Sequence, residues 1–301
     1  MSDVREVGLP AGRPPGEDAS PDAASLAERH GLTQIGVRPG LGAYLRQLWS
    51  ARHFVTALST SRAYAKNSNN YLGQAWAVLN PIVFASVYFL VFGVILDTSK
   101  GIQNYVAFLV VGIFMFRFTS SSVTAGAKSV VGNLPLVRSM HFPRAVLPSS
   151  AALTELATLV PVLGVMILLV LITGEPVSWT WLALPAVVLM QYLFNTGISF
   201  AAARVMASAR DLLNLLPFAL RLMLYVSGVF FSIEHYVGNT PIGLAMQYQP
   251  VAVYLTLTRA SLMSEFQVAP TLWLAGGLWA LLALLIGFVV FWRAEERYGR
   301  D

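Results

Sequence analysis

The stretch LWLAGGLWALLALLIGFVVFW, Leu272–Trp292, decides how this chain is read. Its 21 residues carry no charge and stop at Arg293. As a helix they rise ~31 Å, the thickness of a bilayer's hydrocarbon core. Five more apolar runs of similar length precede it: Ala75–Leu96, Tyr105–Gly126, Ser149–Ile172, Trp181–Ala203 and Leu212–Phe231. In a six-span arrangement Arg62, Lys66, Lys128, Arg138, Arg144, Arg204, Arg210, Arg293, Arg297 and Arg300 fall on one side, and only Lys100 and Arg259 on the other. Because positive charge marks the cytoplasmic side, the pattern predicts an all-α polytopic membrane protein with six transmembrane helices and both termini in the cytoplasm.

Composition agrees. Apolar residues make up 56% and charged residues 12%, against roughly a quarter charged in soluble domains. The net charge of +5 then belongs to cytoplasmic loops facing anionic membrane lipid, and nucleic-acid binding is not expected. With no cysteine, disulfides, zinc–thiolate sites and thiol redox chemistry are excluded.

Residues 1–40 read as a disordered cytoplasmic tail, with Pro10, Pro14, Pro15, Pro21 and Pro39 among small and charged residues and no run long enough for a signal peptide. Residues 41–74 read as an amphipathic interfacial helix and linker. Leu41, Tyr44, Leu45, Leu48, Trp49, Val55 and Leu58 share one face, with Trp49 at headgroup depth. Residues 75–301 form the six-span domain.

Within that domain, Asn80-Pro81 should break the first span near its start, and Pro161 and Pro217 should kink the third and fifth. Gln191 and Asn195 lie one turn apart and suit interhelical hydrogen bonding. Residues 128–148 form the longest inside loop. Residues 233–270 are external, apolar and interrupted by Pro241, Pro250 and Arg259. They read as two short re-entrant helices, or else as an amphipathic loop on the outer surface.

Catalytic groupings are thin. His30, His53, His141 and His235 lie in separate regions, and the aspartates do not cluster, so no metal site or hydrolase pairing is expected. Gly126-Ala-Lys-Ser129 lacks the glycine that a phosphate loop needs before its lysine, so no nucleotide site is expected in this chain. Three ionisable groups fall at membrane depth: Arg117 in the second span, Glu155 in the third and Arg221 in the fifth. Charge there is costly unless paired or wet, so these form either a structural Arg–Glu pair or a substrate-facing site. Phe84, Tyr88 and Phe92 repeat every fourth residue along the first span. They pack against a neighbour, or they line a pore that sugars slide past.

Several motifs resemble one family. Arg62-Ala-Tyr64 and Tyr71-Leu-Gly-Gln-Ala-Trp-Ala-Val-Leu-Asn-Pro81 look like the start of the first span in type-2 ABC exporter permeases for polysaccharides. Asn133-Leu-Pro-Leu-Val-Arg138, Phe142-Pro-Arg144 and Leu147-Pro148 are similar to their cytoplasmic coupling segment. Arg210-Asp-Leu212, Ser227-Gly-Val-Phe-Phe-Ser232, Gln249-Pro250 and the ending Phe291-Trp-Arg-Ala-Glu-Glu-Arg-Tyr298 continue the series in order. Members of that family export O-antigen, teichoic acid and mycobacterial galactan on polyprenyl-diphosphate carriers. Ser139-Met140-His141 departs from the lysine-aliphatic-aromatic stretch expected in the coupling segment.

The resemblance implies a homodimer in the bacterial plasma membrane, bound to two copies of a separate ATPase subunit that holds ATP and magnesium. The chain itself would be a transport subunit, not an enzyme, and its substrate a lipid-linked polysaccharide. Seventeen arginines against three lysines tilt that substrate toward a galactan. Asn133, Leu136, Val137, Arg138, His141, Phe142 and Arg144 would carry ATPase coupling; Pro135 suits a first helical turn, so Asn133–Arg144 reads as a short amphipathic helix. Arg117, Arg221, Glu155, Phe84, Tyr88 and Phe92 would lie on the substrate path. A type-2 permease for a small amphiphilic drug or lipid shares this topology, and a membrane-embedded transferase is the enzyme alternative.

Overall fold

A computed structural model describes residues 40–66, 73, 75–96, 101–140, 142–238 and 240–295. All regular elements among them are helices. Four are long and apolar enough to cross a membrane: Tyr105–Lys128, Val146–Ile172, Trp179–Ser208 and Pro270–Arg293. The first and fifth runs of the sequence are shorter apolar helices, Leu79–Ile95 and Leu212–Val226. The proposed tail, with His30, lies outside the described residues, as do Lys100, His141 and the C-terminal arginines Arg297 and Arg300.

The segment expected to be one interfacial helix forms two helices. Helix α1 (Leu41–Ser50) ends at Ala51, whose backbone turns to ψ 5° and donates to Gln47 and Trp49 carbonyls; α2 (Arg52–Ala65) follows. Helix α2 packs along a membrane helix, α6 (Val146–Ile172). Tyr44 on α1 is buried, whereas Trp49 stays 71% exposed.

Helix α3 (Ala75–Tyr88) runs through Pro81 instead of breaking there. Pro81 is buried, and α3 packs against α6 and α4 (Tyr105–Lys128), neighbours that stabilise a proline-containing turn. The irregularity comes later, as a π-helical stretch over Phe89–Ile95, where Leu96 donates to Val91 five residues back. Pro161 and Pro217 likewise lie within continuous helices, α6 and α8 (Leu212–Val226).

Helix α4 is the centre of the molecule. Seventeen of its 24 residues are buried, Phe108, Phe114, Phe116 and Phe118 among them, so this run feeds a protein core more than it faces lipid. Helices α6, α7 (Leu184–Ser208) and α11 (Pro250–Leu262) pack around it. The closest helix pair is α7 with α12 (Pro270–Arg293). A Cβ on Gly197 would stand 2.2 Å from the Ala283 carbonyl, and one on Gly287 would stand 2.0 Å from the Gly197 oxygen. Glycine at both positions lets the backbones touch, the packing that substitutes for a hydrophobic drive inside lipid.

Residues 233–270 hold three helices: α9 (Ile233–Val237), α10 (Pro241–Tyr248) and α11. Ten of the 13 residues of α11 are buried, and it lies against α4, α7 and α12. It is a core element, not a surface loop. In contrast, α8 buries none of its residues and presents Leu215, Phe218 and Leu222 outward. The segment expected to couple to an ATPase contains one short helix, α5 (Leu134–Ser139), shorter than the expected Asn133–Arg144; the chain turns extended at Met140.

Candidate functional site

Lys66, at the end of α2, meets Glu155 on α6. Its Nζ donates to both carboxylate oxygens, at 2.9 and 2.8 Å. Among the described residues this is the one salt bridge. Glu155 is therefore paired, but with a lysine that charge counting assigns to the cytoplasmic loop, and not with Arg117 or Arg221. The long lysine stem explains it: from the helix terminus it reaches Glu155 on α6 while the side chain as a whole stays 41% accessible.

Arg117 stands in the middle of α4 with its guanidinium 5.3 Å from the centre of the Phe84 ring. It faces two adjoining cavities of about 140 and 470 Å³, both lined by Lys66, Arg117, Ser121 and Glu155. Ser120 and Thr124 continue the polar wall of the larger cavity, one turn apart on α4, and Asn80 enters the smaller. The result is a half-open pocket with two cations and one carboxylate, the last already held by one of the cations. Arg221 does not line it but stands near enough to act electrostatically on Tyr88 of the larger cavity's wall. It is exposed on α8, and from that helix Leu224 reaches the larger cavity.

The aromatic stripe serves two purposes. Phe84 and Tyr88, 6.5 Å apart, line the larger cavity. Beyond them Phe230 closes over the stripe, 4.7 Å from Tyr88 and stacked 4.4 Å from Phe92 at 7°. Phe92 is thus a packing residue within the chain, and Phe84 is the ring left open, 46% exposed.

At the opposite end of α4, Asn133 faces inward: its amide donates to the Ser129 carbonyl, and its oxygen accepts from Arg62, which also donates to Ser150. Val137 is buried and Leu136 partly so. Phe142 packs edge-on against Phe54 of α2, with ring centroids 5.7 Å apart. Arg138 and Met140 point outward. Arg144 joins a latch that sequence reading missed. Tyr44 Oη donates to Glu295 Oε2 at 2.7 Å and accepts from Ala145 N–H, while the Arg144 N–H donates to Glu295 Oε1 at 2.9 Å. The Arg144 guanidinium also donates to the Glu295 main-chain carbonyl. Burial pushes the Glu295 carboxyl above its usual range, and the Arg144 and Tyr44 hydrogen bonds hold it back. The latch ties α1, the coupling segment and the end of α12 together.

A second missed residue is Arg259. Counting it as a loop charge is wrong: it is 4% exposed, and its guanidinium donates to the carbonyls of Phe108, Gly228 and Val229 while lying over the Phe108 ring. The signal was a lone arginine inside the apolar run Val251–Leu262. Gln191, as expected, bridges helices, donating to the Met115 carbonyl and Thr119 Oγ1 of α4. Asn195 is fully buried, and neither of its amide atoms has a protein partner among the described residues.

A helical bundle with a charged cavity at membrane depth and a short helix on one end matches a known family. The model described as "ABC-2 type transporter" aligns with residues 55–263, most of the chain. The chain belongs to that family. The match runs from α2 to just past α11, so it includes the ion pair, Arg117, the coupling segment and Arg259. The chain is also 27% identical over 216 residues to a Myxococcus xanthus protein named O-antigen export system permease protein RfbA, covering 72% of this chain and 82% of that protein. Two Klebsiella pneumoniae proteins of the same name are 23% and 24% identical over 235 residues, covering 76% of this chain and 87% of each. As an ABC-2 transporter the chain is an integral membrane transport subunit, not a catalytic enzyme.

Proposed function

We propose that this ABC-2 transporter subunit exports a polyprenyl-diphosphate-linked polysaccharide from the cytoplasm to the outer face of the membrane. The observation that carries the reading is Arg117. It is an arginine at mid-helix, open to a cavity, and the carboxylate that acts on it from across that cavity, Glu155, is ion-paired with Lys66 instead. Arginine presents a planar fork that matches two phosphate oxygens, and a cation held at that depth is favoured when an anionic group arrives to share it. In this reading Glu155 is a resident anion. It keeps Lys66 neutralised until the diphosphate binds and draws the lysine toward itself. Ser120 adds a hydroxyl donor, Thr124 steadies that turn by donating to the Ser120 carbonyl, and Phe84 gives the first sugar an apolar face. Arg221, on the exposed face of α8, belongs to a boundary between two protomers.

The names of the relatives favour an O-antigen type of polysaccharide, and galactan falls in the same chemical class. Six spans with cytoplasmic termini, a homodimer and two ATPase subunits docking near α5 complete the proposal. With Leu136 and Phe142 engaged inside the chain, docking rests on the outward Arg138 and Met140. The test is a strain lacking this gene. It should lose surface polysaccharide and accumulate lipid-linked glycan inside, and plasmid-borne wild type should restore both. Normal surface polysaccharide in the deletion strain would overturn the reading, and loss of drug resistance alone would assign a small amphiphile instead.

A further inference from the structure

A separate cavity of about 290 Å³ lies between the turn after α8, the end of α10, the middle of α11 and the start of α12. Phe108, near the start of α4, is one of its walls, so it lies toward the end of the bundle away from α5, which follows Lys128. Phe231, Ile233, Phe266 and Leu272 supply more apolar wall.

Two charged residues line this cavity, at different depths. Arg259 is 4% exposed, whereas Glu234 is exposed at the rim. Among the described residues no carboxylate lies within ion-pair distance of Arg259. The guanidinium is oriented instead by main-chain carbonyls. Nε and Nη2 donate to Phe108 at 3.3 and 3.2 Å, Nη1 to Gly228 at 3.0 Å and Nη2 to Val229 at 3.1 Å. The Phe108 ring centre is 3.3 Å away. A Cβ on Gly112 would stand 2.5 Å from Nη2, so a glycine there leaves room for the cation.

Carbonyl dipoles and a ring face soften a positive charge but carry no charge to cancel it, and buried charges are ordinarily paired. A guanidinium has five N–H groups, and these bonds occupy four, so one on Nη1 is left for a ligand. A single N–H suits one phosphate oxygen, not the two-pronged grip that a diphosphate invites. The volume agrees, since it is at the lower end of ligand pockets, about 300 Å³. Glu234 then asks for a cation nearer water. A group with phosphate inside and ammonium outside, attached to apolar chains, is a zwitterionic lipid head. Leu244 on α10 and Leu274 on α12, both exposed on helices that frame the cavity, offer apolar surface to acyl chains.

We propose that this cavity holds the head of a resident phosphoethanolamine lipid, its phosphodiester on Arg259 and its ammonium on Glu234. The lipid is a fixed companion of the bundle and not its cargo. The proposal does not rest on the polysaccharide reading.

The test mixes the full-length chain in detergent with equal amounts of phosphatidylethanolamine, phosphatidylglycerol and phosphatidylcholine of matched chains, and native mass spectrometry reads which lipid is retained. The ethanolamine lipid should be retained ~threefold over the other two, the scale of one exposed ion pair. Phosphatidylglycerol offers Glu234 no cation, and the methylated choline head offers it no N–H donor. Glu234→Gln, at an exposed position, should erase the preference over phosphatidylglycerol, and Glu234→Lys should reverse it. Arg259→Gln should lower retention of all three lipids. Because that residue is buried, the two rim variants decide the matter if it does not fold. Free phosphoethanolamine and inorganic phosphate, which lack acyl chains, should not displace the lipid. Equal retention of the three lipids, a preference that Glu234→Gln leaves unchanged, or displacement by either soluble phosphate overturns the site. The measurement needs neither ATP nor glycan, so its failure leaves the export reading standing, and normal export by the deletion strain leaves the lipid site standing.

Discussion

Lys66→Met should destabilise this protein more than Glu155→Gln, although both remove the same ion pair. The Glu155 side chain is 9% exposed and the Lys66 side chain 41%. Taking away the lysine leaves a mostly buried carboxylate with only the longer-range charge of Arg117 to offset it, and breaking a pair on its buried side costs about 3 kcal/mol. Taking away the glutamate leaves an ammonium that can turn to water, so the loss falls to the surface range, about 1 kcal/mol. At ~2–4 °C per kcal/mol for a chain of this size, Lys66→Met should lower the melting temperature by ~6–12 °C and Glu155→Gln by ~2–4 °C. The double variant carries no stranded charge and should melt above Lys66→Met alone. Fluorescence-detected size exclusion after heating measures all three. Equal losses for the two single variants, or a double variant that melts at the sum of both, would refute the pairing and burial on which the argument stands.

Arg117→Lys keeps the charge but loses the fork, so stimulation of the complex's ATPase by lipid-linked glycan should fall ~tenfold while the melting temperature stays at wild type; full stimulation would remove Arg117 from the substrate path. Gly197→Val drives a side chain into the Ala283 backbone and should cost about 3 kcal/mol, read as a thermal shift, with Gly277→Val as the control because nothing stands within 4 Å of its Cβ. Glu295 has its folded-state pKa raised by burial, so it favours folding below its ordinary value of 4.5 and that contribution is lost as pH rises through the raised value. Wild type should therefore lose stability relative to Glu295→Gln across that window, and a difference that does not change with pH would contradict the buried carboxyl.

How much of this was legible in sequence depends on whether the signal was local. The runs Tyr105–Gly126, Ser149–Ile172, Trp181–Ala203 and Leu272–Trp292 declare themselves by length and lack of charge, and all four are long apolar helices. Gln191 was readable because a polar residue in such a run needs a partner on a neighbouring helix. The partner of Glu155 was not readable. Sequence places Lys66 in a loop, and only the packing of α2 along α6 brings it within reach. Arg259 failed for the same reason, since its three carbonyl acceptors come from segments about 30 and 150 residues away in the chain. Pro81 misled because a proline's effect depends on whether neighbours surround its turn. The latch of Tyr44, Arg144 and Glu295 joins three distant segments, and no periodicity announces it.

The most direct test of the central claim is reconstitution. This chain and its ATPase subunit are placed in proteoliposomes with a polyprenyl-diphosphate glycan on the ATPase-facing side, and access of a glycan-cleaving enzyme from the opposite side is followed over time. The account predicts cleavage that requires ATP, that requires this chain, and that falls with Arg117→Lys. A glycan that stays protected with ATP present, while the same vesicles expel a small amphiphile, would contradict it.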